Sequence, residues 1–175
     1  MTTVMAVKND EGVIMAGDSR SSDSSSRPWC AEKIRQVGPF LVGGAGDSAA
    51  CDAILHLWNP PKLLAKDYDN LLHFMVTKVV PSLRGAIEDS KYVKAENGDG
   101  WTLLFSIDCE IFCIEDDYSV IRPLFDAGSI GSGGQYALGA YRSGANIERA
   151  MMVAAENDPG SGGPFTYLTQ TKRGL

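Results

Sequence analysis

The 175-residue sequence predicts an α+β fold in which helix layers lie on antiparallel sheets. Three observations carry this. Apolar, β-branched runs come in consecutive groups joined by short turns, as antiparallel hairpins require. Helical periodicity appears in two separate pairs of segments. The resulting order, ββββ–αα–βββ–αα–β, does not alternate strand with helix and so does not build a parallel βαβ sheet. Two sheets could stack face to face with one helix pair outside each. The length fits a single domain over residues 1–175, and such a chain buries roughly two-thirds of its unfolded surface.

The first 46 residues read as strands. TTVMAVKN and GVIMAGDS flank the turn-forming Asn9-Asp10-Glu11-Gly12. The polar stretch Ser19 to Pro28 reads as a loop or weakly ordered edge. Lys33 to Val37 and Phe40 to Gly44, separated by Gly38-Pro39, make a second hairpin. Asp47-Ser48 is an N-cap signal for a helix that shows Cys51, Ile54, Leu55 and Trp58 at helical spacing. Asn59-Pro60-Pro61 stops it. A second helix runs from about Tyr68 to Ser90, with Leu71, Leu72, Met75, Val79, Leu83 and Ile87 on one stripe. Pro81 should kink it or split it.

After the turn Asn97-Gly98-Asp99-Gly100, WTLLFSI, EIFCIE and SVIRPLF read as a meander. Asp126 to Gly134 reads as a Gly-rich junction. Helices are expected at about Gln135 to Ser143 and Ile147 to Asn157. Asp158 to Pro164 is a sharp loop, and Phe165 to Thr171 is the closing strand.

Bulk properties exclude more than they assign. Apolar residues make up 44% and charged residues 22%, ordinary for a globular domain. The net charge of −6 argues against nucleic acid or an anionic membrane as partner. No run reaches the roughly 18 apolar residues of a spanning helix. The amino terminus lacks the pattern of a signal peptide, so a cytoplasmic location is expected. The cysteines, Cys30, Cys51, Cys109 and Cys113, form no CxxC pair and are expected reduced. Cys109 and Cys113 should share one sheet face. A metal there would need Asp108, Glu110 and Glu115 as further ligands, and no metal is expected.

Several catalytic patterns are absent. The only histidines, His56 and His73, fall in predicted helices, and there is no HExxH, G-x-S-x-G, P-loop or complete G-x-G-x-x-G. What remains is the start, Met1-Thr2-Thr3. A small residue at position 2 permits removal of Met1. The exposed threonine would then carry a hydroxyl nucleophile and an α-amine whose ordinary pKa, about 7.7–8.0, suits a base at neutral pH.

Further motifs follow in order. They are AGDS at Ala16 to Ser19, EKIRQV around Lys33, VGGAGDSA from Val42, and IGSGG at Ile130 to Gly134. Together with the amino-terminal TT, the sequence resembles the HslV-type and proteasome β-subunit threonine peptidases over nearly its whole length. The resemblance implies the four-layer αββα fold of N-terminal-nucleophile hydrolases. It implies Thr2 as nucleophile, Lys33 as the ammonium beside it, and Asp18 as the acid that pairs with Lys33. It implies Gly43 as the oxyanion-binding N–H, and Ser132 as the group orienting the amine or water. Asp158 and Ser161 match a proteasome-like Asp-x-x-Ser pair supporting the same site. HslV-type chains usually differ in that loop, so the sequence mixes features of both branches.

If the substrate pocket is built as in the family, Ala31, Leu41 and Ala45 line it, which suggests cleavage after apolar residues. The resemblance further implies protein or peptide substrates, no cofactor, a homo-oligomeric ring or double ring, and an AAA+ ATPase unfoldase as partner. Two alternatives stay open. One is a non-proteolytic amidohydrolase on small amides; the other is an inactive structural ring subunit, should Met1 stay on.

Overall fold

The structure, a computed structural model, describes residues 1–22, 28–92 and 100–172. Strands β1 (Val4–Lys8) and β2 (Gly12–Asp18) form the expected hairpin. They lie in a four-stranded antiparallel sheet ordered β10-β1-β2-β11, with β10 (Ala127–Ile130) and β11 (Phe165–Thr171) at the edges. The second sheet runs β5-β6-β7-β8-β9. Its strands are β5 (Ile34–Val37), β6 (Phe40–Gly46), β7 (Trp101–Ile107), β8 (Glu110–Glu115) and β9 (Val120–Ile121). A short ribbon, β3 (Arg20–Ser22) with β4 (Pro28–Cys30), stands apart.

Alternation along the strands builds the layers. From β1, Val4 and Ala6 point between the sheets and meet Ile34, Leu41 and Leu104 of the second sheet. Met5 and Val7 point the other way, against α4 (Gly134–Arg142) and α5 (Ile147–Asn157). On β6, Phe40 and Val42 face α1 (Ser48–Leu57) and the long helical segment after it. The central strands are therefore covered on both faces, which is why their sequences are nearly unbroken apolar runs. The arrangement is αββα, as expected.

Helix starts follow the cap signals. Asp47 accepts from the Ala50 N–H at 3.1 Å, and Asn146 accepts from that of Arg149 at 2.9 Å. The second helix is preceded by a 3-10 turn, Ala65–Asn70. It then runs through α2 (Leu71–Phe74), a π turn (Met75–Val79) and α3 (Val80–Asp89). Pro81 neither ends nor splits it. The π turn lies just ahead, with the Val80 N–H bonded to Met75, so the widened turn meets the place where Pro81 has no N–H to give Thr77.

Four expectations change. The strand expected over SVIRPLF is confined to β9, and Leu124 and Phe125 are exposed. The Gly-rich stretch from Asp126 contains a strand, β10, which pairs with β1 in the register Val4↔Ile130. Part of the polar stretch from Ser19 forms β3 and β4, while its residues 23–27 lie outside the described residues. Cys109 is not in a strand with Cys113; it sits with Asp108 in a two-residue hairpin turn, both at positive φ. The expected turn at Asn97-Gly98-Asp99 also lies outside the described residues. All four cysteines are free, and no described helix is long and apolar enough to cross a membrane.

Candidate active site

The amino-terminal end of β1 and the carboxy-terminal end of β2 meet at the same end of the first sheet. Asp18, at the end of β2, is wholly buried and holds four donors. Its Oδ1 accepts from the Thr3 N–H at 2.8 Å and Lys33 Nζ at 2.9 Å. Its Oδ2 accepts from the Gly162 N–H at 3.0 Å and the Arg20 N–H at 3.1 Å. These donors offset the cost of burying the carboxylate.

Lys33, just before β5, has a side chain only 9% exposed. Its ammonium donates to Asp18, to the Arg20 carbonyl and, at 3.2 Å, to the Met1 carbonyl. Three protons meet three acceptors, so the group is fixed in place. The same Met1 carbonyl accepts from Thr2 Oγ1 at 2.6 Å. Thr2 and Lys33 thus converge on one oxygen.

A second network reaches Thr2 from the other side. The Thr2 N–H donates to Ser132 Oγ at 3.3 Å, and Ser132 Oγ donates to Asp158 Oδ2 at 2.7 Å. Ser161 Oγ donates to the same Oδ2 at 2.6 Å, so Thr3 Oγ1, also 2.6 Å from Ser161 Oγ, must be the donor to it. Burial would push the Asp158 carboxyl up. The hydroxyls of Ser161 and Ser132, the Gly160 N–H and the positive amino terminus outweigh that and hold it below the usual carboxylate value.

Glycines let the Ser132 turn come this close. A Cβ on Gly131, at φ 84°, would lie 2.2 Å from the Thr2 carbonyl oxygen; one on Gly133 would lie 2.0 Å from Thr3 Oγ1.

A cavity of about 360 Å³ opens beside Thr2, lined among others by Met1, Ala31, Lys33, Gly44, Ala45 and Gly46. Of the residues that the resemblance assigns to a substrate pocket, Ala31 and Ala45 border this cavity. Two other expected site residues do not. Leu41 is buried between the sheets and does not reach the cavity. Gly43 also lies behind the wall, where a Cβ would strike Val4 at 2.5 Å and Ile34 at 3.1 Å.

Ladder alternation decides the Gly43 N–H as well. The Gly44 N–H donates to the Lys33 carbonyl, and Asp47 N–H to that of Gly100, so the Gly43 N–H is turned into β7 at Leu104. β5 starts only at Ile34, so the next N–H on the open edge of β6 is that of Gly46. Cys51 also borders the cavity, but burial, with smaller contributions from Asp47 and Asp52, pushes its thiol up to about 12. It is neutral at pH 7 and no rival nucleophile.

The residues singled out from sequence therefore fall into one site, apart from Gly43 and Leu41. Sequence reading missed Thr3, Arg20 and Gly162, which hold Asp18 and Ser161 through backbone or hydroxyl groups. Thr3 had a visible signal in the TT pair; backbone donors at Arg20 and Gly162 have none. Among the described residues no three His, Cys, Asp or Glu side chains gather as around a metal ion.

No family model matches the chain. It is 31% identical over 159 residues to the ATP-dependent protease subunit HslV of Caldicellulosiruptor saccharolyticus, covering 87% of this chain and 85% of that protein. It is 28% identical over 192 residues to the proteasome subunit beta of Haloferax volcanii, covering 99% and 75%. In structure it is similar to Thiobacillus denitrificans BPH in complex with epoxomicin, with a TM-score of 0.73 and 22% identity over 97% of this chain and 98% of that one.

Proposed function

Because the chain belongs to the family of HslV and proteasome β subunits, we propose that it is a threonine-type endopeptidase subunit whose nucleophile is the Thr2 hydroxyl, freed for catalysis by loss of Met1. The observation that carries this reading is the shared Met1 carbonyl oxygen, which receives both Thr2 Oγ1 and Lys33 Nζ. While Met1 is attached, the Thr2 nitrogen is an amide and no base. Once it leaves, that nitrogen becomes an amine suited to take a proton near pH 7. Ser132, its own proton committed to Asp158, offers a lone pair that orients the amine. One Lys33 proton loses its acceptor and turns to the Thr2 oxygen, where the positive charge favours the developing alkoxide.

Thr2 Oγ then bonds to a peptide carbonyl carbon while its proton passes to the amine, directly or through a water. The carbon–nitrogen bond breaks as that proton moves to the leaving amine. Water hydrolyses the resulting ester with the Thr2 amine again as base. We assign the oxyanion to the Gly46 N–H, supported by its position at the end of β6 in the cavity lining, a role worth about 3–4 kcal/mol of barrier.

We further assign the subunit to a homo-oligomeric ring or double ring served by an AAA+ unfoldase. The description of the Caldicellulosiruptor relative as an ATP-dependent protease subunit supports this. The test pairs intact mass with peptide hydrolysis by wild type and Thr2→Ala. Loss of Met1, with activity abolished in Thr2→Ala, is expected. Retention of Met1 by an assembled, inactive protein supports the structural-subunit alternative; equal activity in the two proteins removes the mechanism. Epoxomicin, bound in the Thiobacillus denitrificans structure, is expected to block the wild-type reaction.

A further inference from the structure

We propose that the cavity beside Thr2 selects a basic side chain, so that cleavage follows arginine or lysine; this rests on the peptidase reading and names its substrate class. An apolar pocket was the expectation, with Leu41 in its wall. Leu41 is instead spent on the packing between the sheets. The apolar lining that remains is small: Ala31, Ala45 and Met1, and Met1 is removed in the active form. Ser21, Ser48, Glu32 and Asp52 also line the cavity. Its volume, about 360 Å³, is at the lower end for small-ligand sites and holds one long side chain.

The charges around the cavity leave it negative. Lys33 lies in its wall, but its ammonium is paired with the buried Asp18 carboxylate at 2.9 Å and held by the Arg20 carbonyl, and both partners remain once Met1 is gone. Arg35 and His56 approach Glu32 at 3.4 and 3.6 Å, on surface that is itself exposed, so those contacts exchange readily with a competing cation. Asp52 makes no ion pair among the described residues. Asp47 accepts from the Ala50 N–H at the amino terminus of α1. At the cavity wall Asp47 and Asp52 add to the effect of burial on the Cys51 thiol and outweigh the opposing pull of Lys33. An arginine or lysine entering the cavity would lay its methylenes along Ala31 and Ala45 and bring its charge to Asp52 and Glu32. An apolar side chain would desolvate those carboxylates without compensation, and an acidic one would be repelled.

The test separates this from the peptidase reading by measuring binding apart from turnover. Peptides ending in a free carboxylate after Arg, Lys, Leu or Glu are titrated into Met1-trimmed Thr2→Ala protein by calorimetry. Wild-type hydrolysis is measured with substrates carrying the same residues before the scissile bond. Arg- and Lys-terminated peptides are expected to bind at least about tenfold tighter than Leu-terminated ones, and the preference should fall below about threefold in Asp52→Asn/Glu32→Gln. Leu- or Glu-terminated peptides binding as well as the basic ones overturns the proposal. So does an unchanged preference in the double variant. Absence of hydrolysis by trimmed wild type, with the binding preference intact, overturns the peptidase reading and leaves the basic-selective cavity standing.

Discussion

Lys33 shows how one side chain joins stability to chemistry. It forms a buried pair with Asp18, whose side chain is fully enclosed. Breaking such a pair by removing one partner typically costs about 3–5 kcal/mol. Asp18 keeps three backbone N–H donors, so Lys33→Ala is expected to cost near the low end, about 3 kcal/mol, measured by chemical denaturation. Peptidase activity should fall at least about a hundredfold even at temperatures where the variant is fully folded. Activity within a few-fold of wild type would show that the ammonium does not act on Thr2. Asp158 sets a pH limit. Its folded pKa is held below the usual 3.8, so its contribution to stability is complete above about pH 4 and is lost as pH falls through the lower folded value. Thermal unfolding of wild type and Asp158→Asn between about pH 7 and pH 2.5 should show a shallower acid dependence in the variant.

At the scale of elements, glycines with different surroundings predict opposite outcomes. Gly133 opens α4 where a Cβ would meet Thr3 Oγ1 at 2.0 Å and Ser161 Oγ at 2.7 Å. Gly133→Ala is expected to push the Ser132 turn away from Thr2, reducing both stability and turnover. Gly85, inside α3, has nothing within 4 Å of its notional Cβ. Gly85→Ala should stabilise the protein by about 0.5–1 kcal/mol, through helix propensity alone, and leave hydrolysis unchanged. Denaturant midpoints and steady-state rates for the two variants check both. The same scale explains the long helix. Its apolar stripe, Leu71, Met75, Val79, Leu83 and Ile87, stays on the core side through the π turn, so packing holds the helix together across Pro81.

For the whole molecule, the prediction concerns assembly. Native mass spectrometry of the purified protein is expected to give a closed oligomer at an integer multiple of the 18.8 kDa chain, less Met1. A strictly monomeric protein with full peptidase activity would contradict the ring assignment. Within one chain, residues of β1 and β2 and of the segments before β5, before α4 and after α5 converge on the candidate site.

The sequence by itself determined the layer order, most element bounds and the set of chemical groups at the amino terminus. Those features are local: periodicity, caps and turn residues act within a few positions of the chain. It also singled out Thr2, Asp18, Lys33, Ser132, Asp158 and Ser161, scattered over 160 positions, which the fold brings together. It could not decide which strand neighbours which, and so read β10 as a junction; Ala127–Ile130 is a strand only because β1 offers it a ladder. Nor could it decide the facing of Gly43 and Leu41. One residue of strand alternation turns an N–H or a side chain from the cavity into the sheet, and register is fixed by long-range pairing. The acidic lining beside Thr2 has the same origin, since Glu32 and Asp52 meet at one cavity only after β6 has turned into α1.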